Sequence, residues 1–209
     1  RTPPPSFVNS DFSEMSDFVP IQTDTIQNNS DTVTEAVEKP DNARGAVLGS
    51  ATPRVHSAIY DGDTTRALNA IEFAKEIGIE LMPWQVNAIG EMLKTVDDKY
   101  IYRQLGIVCS RQQGKTFLAA LRILAGVYLF GEKDILMMSV NRKLSLITFR
   151  QIDQLITRSQ RLRAEHAATY VTNGSERIVF KNGAQISVVA ATPNGARGMS
   201  ADLLFIDEL

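Results

Sequence analysis

The chain has 209 residues, 44% hydrophobic and 22% charged, the balance of an ordinary globular domain, and no apolar run reaches the roughly 18 residues a membrane span requires. One cysteine excludes an internal disulfide, and one cysteine with two histidines argues against a structural zinc site, which fits a reducing, intracellular setting. The net charge of −2 conceals seven acidic and two basic side chains in residues 1–40, leaving 20 basic against 17 acidic beyond them; that lean toward an anionic partner falls well short of a dedicated nucleic-acid module.

Residues 1–62 hold six of the eight prolines and show no sustained periodicity. They read as a leader that buries too little apolar surface to offset its ordering entropy. The first residues also lack the basic-then-apolar layout of a secretion signal. A folded domain is expected over 63–209. "TRALNAIEFAKEIG" has helical spacing and stops at Gly78, a suitable C-cap. "MPWQVNAIGEMLKTV" reads as a second helix with Pro83 in its first turn and Trp84 as a core aromatic. "QLGIVC" is a short apolar run expected to form a strand, and "KTFLAALRILAGVYLF" follows as a buried helix. "DILMMSV" is a further buried strand, then a helix is expected from about Arg142 to Arg158. "ERIVF" and "AQISVVA" flank Lys-Asn-Gly, a hairpin turn signal. "DLLFIDE" closes the series as a strand ending in two carboxylates. Strands alternating with helices predict an α/β domain of the P-loop NTPase kind, with a mainly parallel sheet covered by helices on both faces.

The chemistry concentrates in "CSRQQGKT", residues 109–116. A phosphate-binding loop needs inward backbone N–H groups, a helix N-terminus beneath them, a lysine for the β/γ-phosphates and a hydroxyl for Mg²⁺. Ser110, Arg111, Gln112, Gln113 and Gly114 supply the loop, and Lys115 and Thr116 the charge and the hydroxyl; Thr116 is therefore also a metal candidate. Against the pattern GxxxxGK[ST], only Cys109 departs, and cysteine is still small. Asp207 and Glu208 stand where ligands bind in open α/β sheets, at the carboxyl end of a strand. Asp207 suits the Mg²⁺ shell, and Glu208 suits the catalytic task of polarising the attacking water. Gln85 has an amide able to read the edge of adenine.

"MPWQ", "SRQQGKT" and "GARGMSADLLFIDE" together resemble the ATPase half of tailed-phage terminase large subunits, over about residues 64–209. The resemblance implies ATP and Mg²⁺ as cofactors and double-stranded DNA as the translocated partner. It further implies the portal protein and the terminase small subunit as protein partners, and a homo-oligomeric ring at the procapsid in the host cytoplasm, without a membrane. Gln85 matches the family's adenine-reading glutamine, Lys115 and Thr116 its phosphate and metal residues, Asp207 its metal carboxylate and Glu208 its catalytic one. Arg111 matches the arginine that such motors carry inside the loop as a γ-phosphate sensor, a role a fixed guanidinium can fill electrostatically; its other reading is a surface arginine. The family's nuclease domain is absent from this chain and is expected only of a parent protein.

Lys143, Arg150, Arg158 and Arg161 fall on one side of the predicted 142–163 helix, opposite Phe149, Ile152 and Ile156. That face reads as a DNA-phosphate contact, a subunit-docking surface or a solvated face. Arg197, between Gly195 and Gly198, could link nucleotide state to DNA or a neighbouring subunit, while His56 and His166 have no partners at ligand spacing. Two alternatives stand beside the packaging motor: a helicase-like nucleic-acid-dependent ATPase, and a nucleotide-binding remnant without turnover.

Overall fold

A computed structural model describes residues 50–139, 142–190 and 200–207. Residues 50–62 form neither helix nor strand; they lie along the domain through the Asn87 amide donating to the Ala51 carbonyl and the Tyr60 ring tilted against Tyr102. The first helix, α1, runs Thr65–Glu76 and buries Ala67, Ala70, Phe73 and Ala74 on one stripe. Asp63 accepts from both the Thr65 hydroxyl and the Thr65 N–H just ahead of it, and these bonds hold its carboxyl below the ordinary value. Gly78 follows α1 at φ +77, donating its N–H to the Lys75 carbonyl, so the glycine stop operates as the sequence predicts.

Helix α2 spans Pro83–Met92, with Pro83 in its first turn. It is shorter than expected: Thr95–Val96 (β1) pairs antiparallel with Lys99–Tyr100 (β2) across Asp97 and Asp98 at φ 49 and 63. Positive φ at both central residues is the geometry that tight hairpins require, and aspartate tolerates it. Helix α3, Lys115–Ala125, also ends early and continues as one π-helical turn over Gly126–Phe130. At the junction stands Gly126, and beside it Glu132, held by two hydrogen bonds from Arg122 at 2.9 and 2.7 Å, fills the space a side chain would need.

Helix α4, Arg142–Arg158, and the short α5, Gln160–Glu165, are separated at Ser159, whose hydroxyl accepts from the Leu162 N–H. The remaining strands are β3 (Asp134–Ser139), β4 (His166–Tyr170), β5 (Arg177–Phe180), β6 (Gln185–Ala190) and β7 (Leu203–Asp207). Their order is β4-β5-β6-β3-β7, with β3 parallel to β6 and β7 and both pairings among β4, β5 and β6 antiparallel. The sheet is therefore mixed, which corrects the expectation of a mainly parallel one. The reason is local: β5 and β6 join through four residues, Lys181 to Ala184, and so short a link only permits antiparallel pairing. Gly183, at φ +84, closes that turn.

The expected strand at 104–109 does not form. Ile107 packs against the core while Val108 is fully exposed, and the segment has no ladder partner among the described residues. Apolar, β-branched residues favour extended backbone, but only a neighbouring strand makes that backbone a ladder. Ile135 and Met137 of β3 lie beside Ile186 and Val188 of β6 and share their core with α1, α3 and α4. The alternate residues point to the other face, where Leu204 and Ile206 of β7 stand 48% and 41% exposed. Helical cover over both faces is therefore not realised at β7 among the described residues.

Candidate nucleotide site

The loop at 109–114 runs directly into the first turn of α3. Gln112 at φ 60 and Gly114 at φ 82 turn the backbone with left-handed residues on either side of Gln113. At Gly114 only glycine fits: an added Cβ would lie 2.7 Å from Gln85 Nε2, in a conformation that side chains resist anyway. Lys115 folds back over the loop, donating to the carbonyls of Cys109 at 2.7 Å and Ser110 at 3.1 Å. An ammonium thus sits against the loop at the N-terminus of a helix, a place where backbone N–H groups and the helix dipole favour an anion. Ser110, Arg111, Gln112 and Gln113 are exposed and reachable by a ligand, while Gly114, Lys115 and Thr116 are half-buried.

Gln85 arrives from α2. Its carbonyl oxygen accepts from the Met82 N–H at 2.8 Å and its amide nitrogen donates to the Gly114 carbonyl at 3.0 Å. Trp84, beside it, packs against the core as the sequence suggests, with its indole nitrogen buried and without a partner.

Asp207 ends β7 directly opposite Ser139, at the carboxyl end of the parallel β3–β7 pair. The other end of the same strand is pinned by Asp202, which accepts from the N–H groups of Lys133 and Asp134. Glu208, Gly195, Arg197 and Gly198 lie outside the described residues. Among the described residues, no group of three or more His, Cys, Asp or Glu side chains could hold a metal. Magnesium needs no such cage, since it is held by one or two protein oxygens together with phosphates and water.

The predicted basic face divides in two. Lys143, Arg150 and Arg158 form an exposed stripe on α4, with Ile147 and Gln154 between them. Arg161 lies beyond the break at Ser159; it pairs with Glu76 of α1 and its guanidinium covers the Phe73 ring at 5.1 Å. The break puts Arg161 on a different helix from the other three, so the single four-residue helical face is not formed. Sequence reading also missed Glu176, which is 5% exposed and ion-paired to Arg142 at the start of α4. Burial alone would raise its carboxyl, but its own backbone N–H, Arg142 and the Gly174 N–H outweigh that and hold it below the ordinary value. An acid in a polar turn gives no sequence signal for such a pairing.

No curated protein matches this chain. Residues 107–209 match the family model described as terminase large subunit, T4likevirus-type, N-terminal. The match starts two residues before the loop and takes in the loop, all of α3 and α4, the five-stranded sheet and the closing acidic pair. Over those residues the chain is similar to terminase large subunits, and the match supports the family that the sequence motifs point to.

Proposed function

We propose that this chain is the ATPase part of a phage DNA-packaging motor, with the P-loop NTPase arrangement built around residues 109–116. The observation that carries the reading is Lys115, its ammonium on the Cys109 and Ser110 carbonyls inside a loop that opens a buried helix. A triphosphate replaces those two carbonyls with fully charged oxygens, which hydrogen-bond an ammonium more strongly. The backbone N–H groups of the loop and of the first turn of α3 hold the remaining oxygens. Thr116 and Asp207 are hard oxygen donors and suit a magnesium ion, which on binding would supply positive charge to the phosphates. Glu208 orients the attacking water and takes its proton, and Arg111, on the exposed loop, offers charge to the γ-phosphate.

DNA is the proposed partner on the stripe of Lys143, Arg150 and Arg158, with portal protein, small subunit and sister subunits in a ring at the procapsid of an infected cell. No described helix is long and apolar enough to cross a membrane. The test is steady-state ATP hydrolysis by the wild-type protein and by Glu208→Gln, with and without duplex DNA. Turnover by the wild type, and ATP binding without turnover by the variant, support the reading. Equal turnover by both removes Glu208 from its role, and the absence of turnover from the wild type favours the nucleotide-binding remnant.

A further inference from the structure

Gln85 is the most deeply buried polar side chain touching the loop, at 2% exposure. Its orientation is unambiguous, because the Met82 N–H can only donate and the Gly114 carbonyl can only accept. One amide hydrogen and one lone pair remain unused, but burial closes them to a base arriving from solvent. Resting on the nucleotide reading above, we infer that Gln85 is a positioning residue for the phosphate loop, acting on the triphosphate through the Gly114–Lys115 peptide rather than reading adenine.

The reasoning follows the peptide plane. The Gly114 carbonyl also accepts from the Leu118 N–H at 3.2 Å, the first hydrogen bond of α3. A peptide unit is planar and trans, so its N–H points opposite to its carbonyl. Fixing the Gly114 carbonyl between Gln85 and Leu118 therefore fixes the Lys115 N–H, which points out of the helix N-terminus. That N–H is one of the donors α3 cannot satisfy internally, and it is available to a phosphate oxygen. Gly114 is also where the backbone is least constrained by itself, since glycine at φ 82 has other conformations open to it. Gln85 supplies the missing constraint from a second helix, and its own position is set by Pro83 and the Met82 N–H at the start of α2.

The distinguishing experiment compares wild type with Gln85→Met, an unbranched replacement of similar length that removes both hydrogen bonds. Equilibrium binding is measured for ATP, GTP and inorganic tripolyphosphate, each with Mg²⁺, after thermal unfolding has shown that the variant is folded. A positioning role predicts that all three ligands weaken by a common factor of about five, roughly 1 kcal/mol for one hydrogen bond, with the ATP/GTP ratio unchanged. A collapse of that ratio with tripolyphosphate binding intact overturns the inference and makes Gln85 a base reader. Hydrogen exchange of residues 110–118 without nucleotide gives a second readout, which also serves if Gln85→Met is unstable and Gln85→Glu must replace it. Faster exchange there in the variant is expected, and unchanged exchange counts against the brace. Failure of the wild type to bind any of the three ligands instead overturns the nucleotide reading, leaving hydrogen exchange to decide the brace.

Discussion

Replacing Gly126 by alanine tests the packing around α3 through the sign of a stability change. Gly126 has φ −54 and ψ −51, ordinary helical values that alanine adopts freely. Helix propensity alone therefore predicts stabilisation by about 1 kcal/mol. The structure predicts the reverse. A Cβ at Gly126 would meet Glu132 Oε2 at 2.1 Å, Glu132 Cδ at 3.0 Å and Arg122 Nη1 at 3.1 Å. The carboxylate must leave, and with it both Arg122 hydrogen bonds and the bond from the Tyr100 hydroxyl at 3.3 Å. The two side chains are only 11% and 9% exposed, and breaking a buried pair costs about 3–5 kcal/mol. Less the propensity gain, Gly126→Ala should lose about 2–4 kcal/mol, roughly 4–16 °C in melting temperature for a domain of this size. Thermal unfolding by circular dichroism measures it directly. In a Glu132→Ala background the obstruction is gone, so the same substitution should become neutral or stabilising, a coupling that a double-mutant cycle reads out. A Gly126→Ala protein that melts higher than wild type would refute the reasoning.

The Arg142–Glu176 pair should make stability pH-dependent at acid pH. Because the folded-state carboxyl is held below its ordinary value, its contribution is complete above the ordinary glutamate range and is lost as pH falls through the lowered value; Glu176→Gln should flatten urea-unfolding stability across that window. On the exposed stripe, Arg150→Glu with Arg158→Glu should weaken duplex DNA binding for every sequence tested. Each lost phosphate contact should cut the log–log salt slope by about 0.9 while basal ATP hydrolysis survives, whereas an unchanged slope would make this a solvated face.

Elements with strong local signals were legible in the sequence. The periodicity of α1 and its Gly78 stop, Pro83 at the head of α2, and the apolar runs of β3 and β7 all stand where they were expected. What failed depended on distant partners. "QLGIVC" has strand-like composition but no neighbour to pair with among the described residues, and β4, "HAATY", has a weak strand signal but gains a ladder from β5. The break at Ser159 and the capture of Arg161 by Glu76 divided a basic face that helical spacing alone made continuous. At the loop, residue types were readable while their engagements were not. That Lys115 rests on the Cys109 and Ser110 carbonyls, and that both ends of the Gln85 amide are satisfied within the protein, depend on folding α2 against the loop.

The most direct test of the central claim is calorimetric titration of Mg·ATP into the wild-type chain and into Lys115→Ala. The account predicts one ATP bound per chain by the wild type. It also predicts affinity at least about tenfold weaker in the variant, 1.4 kcal/mol or more, for loss of charged hydrogen bonds to the triphosphate. Equal affinities in the two proteins would contradict it.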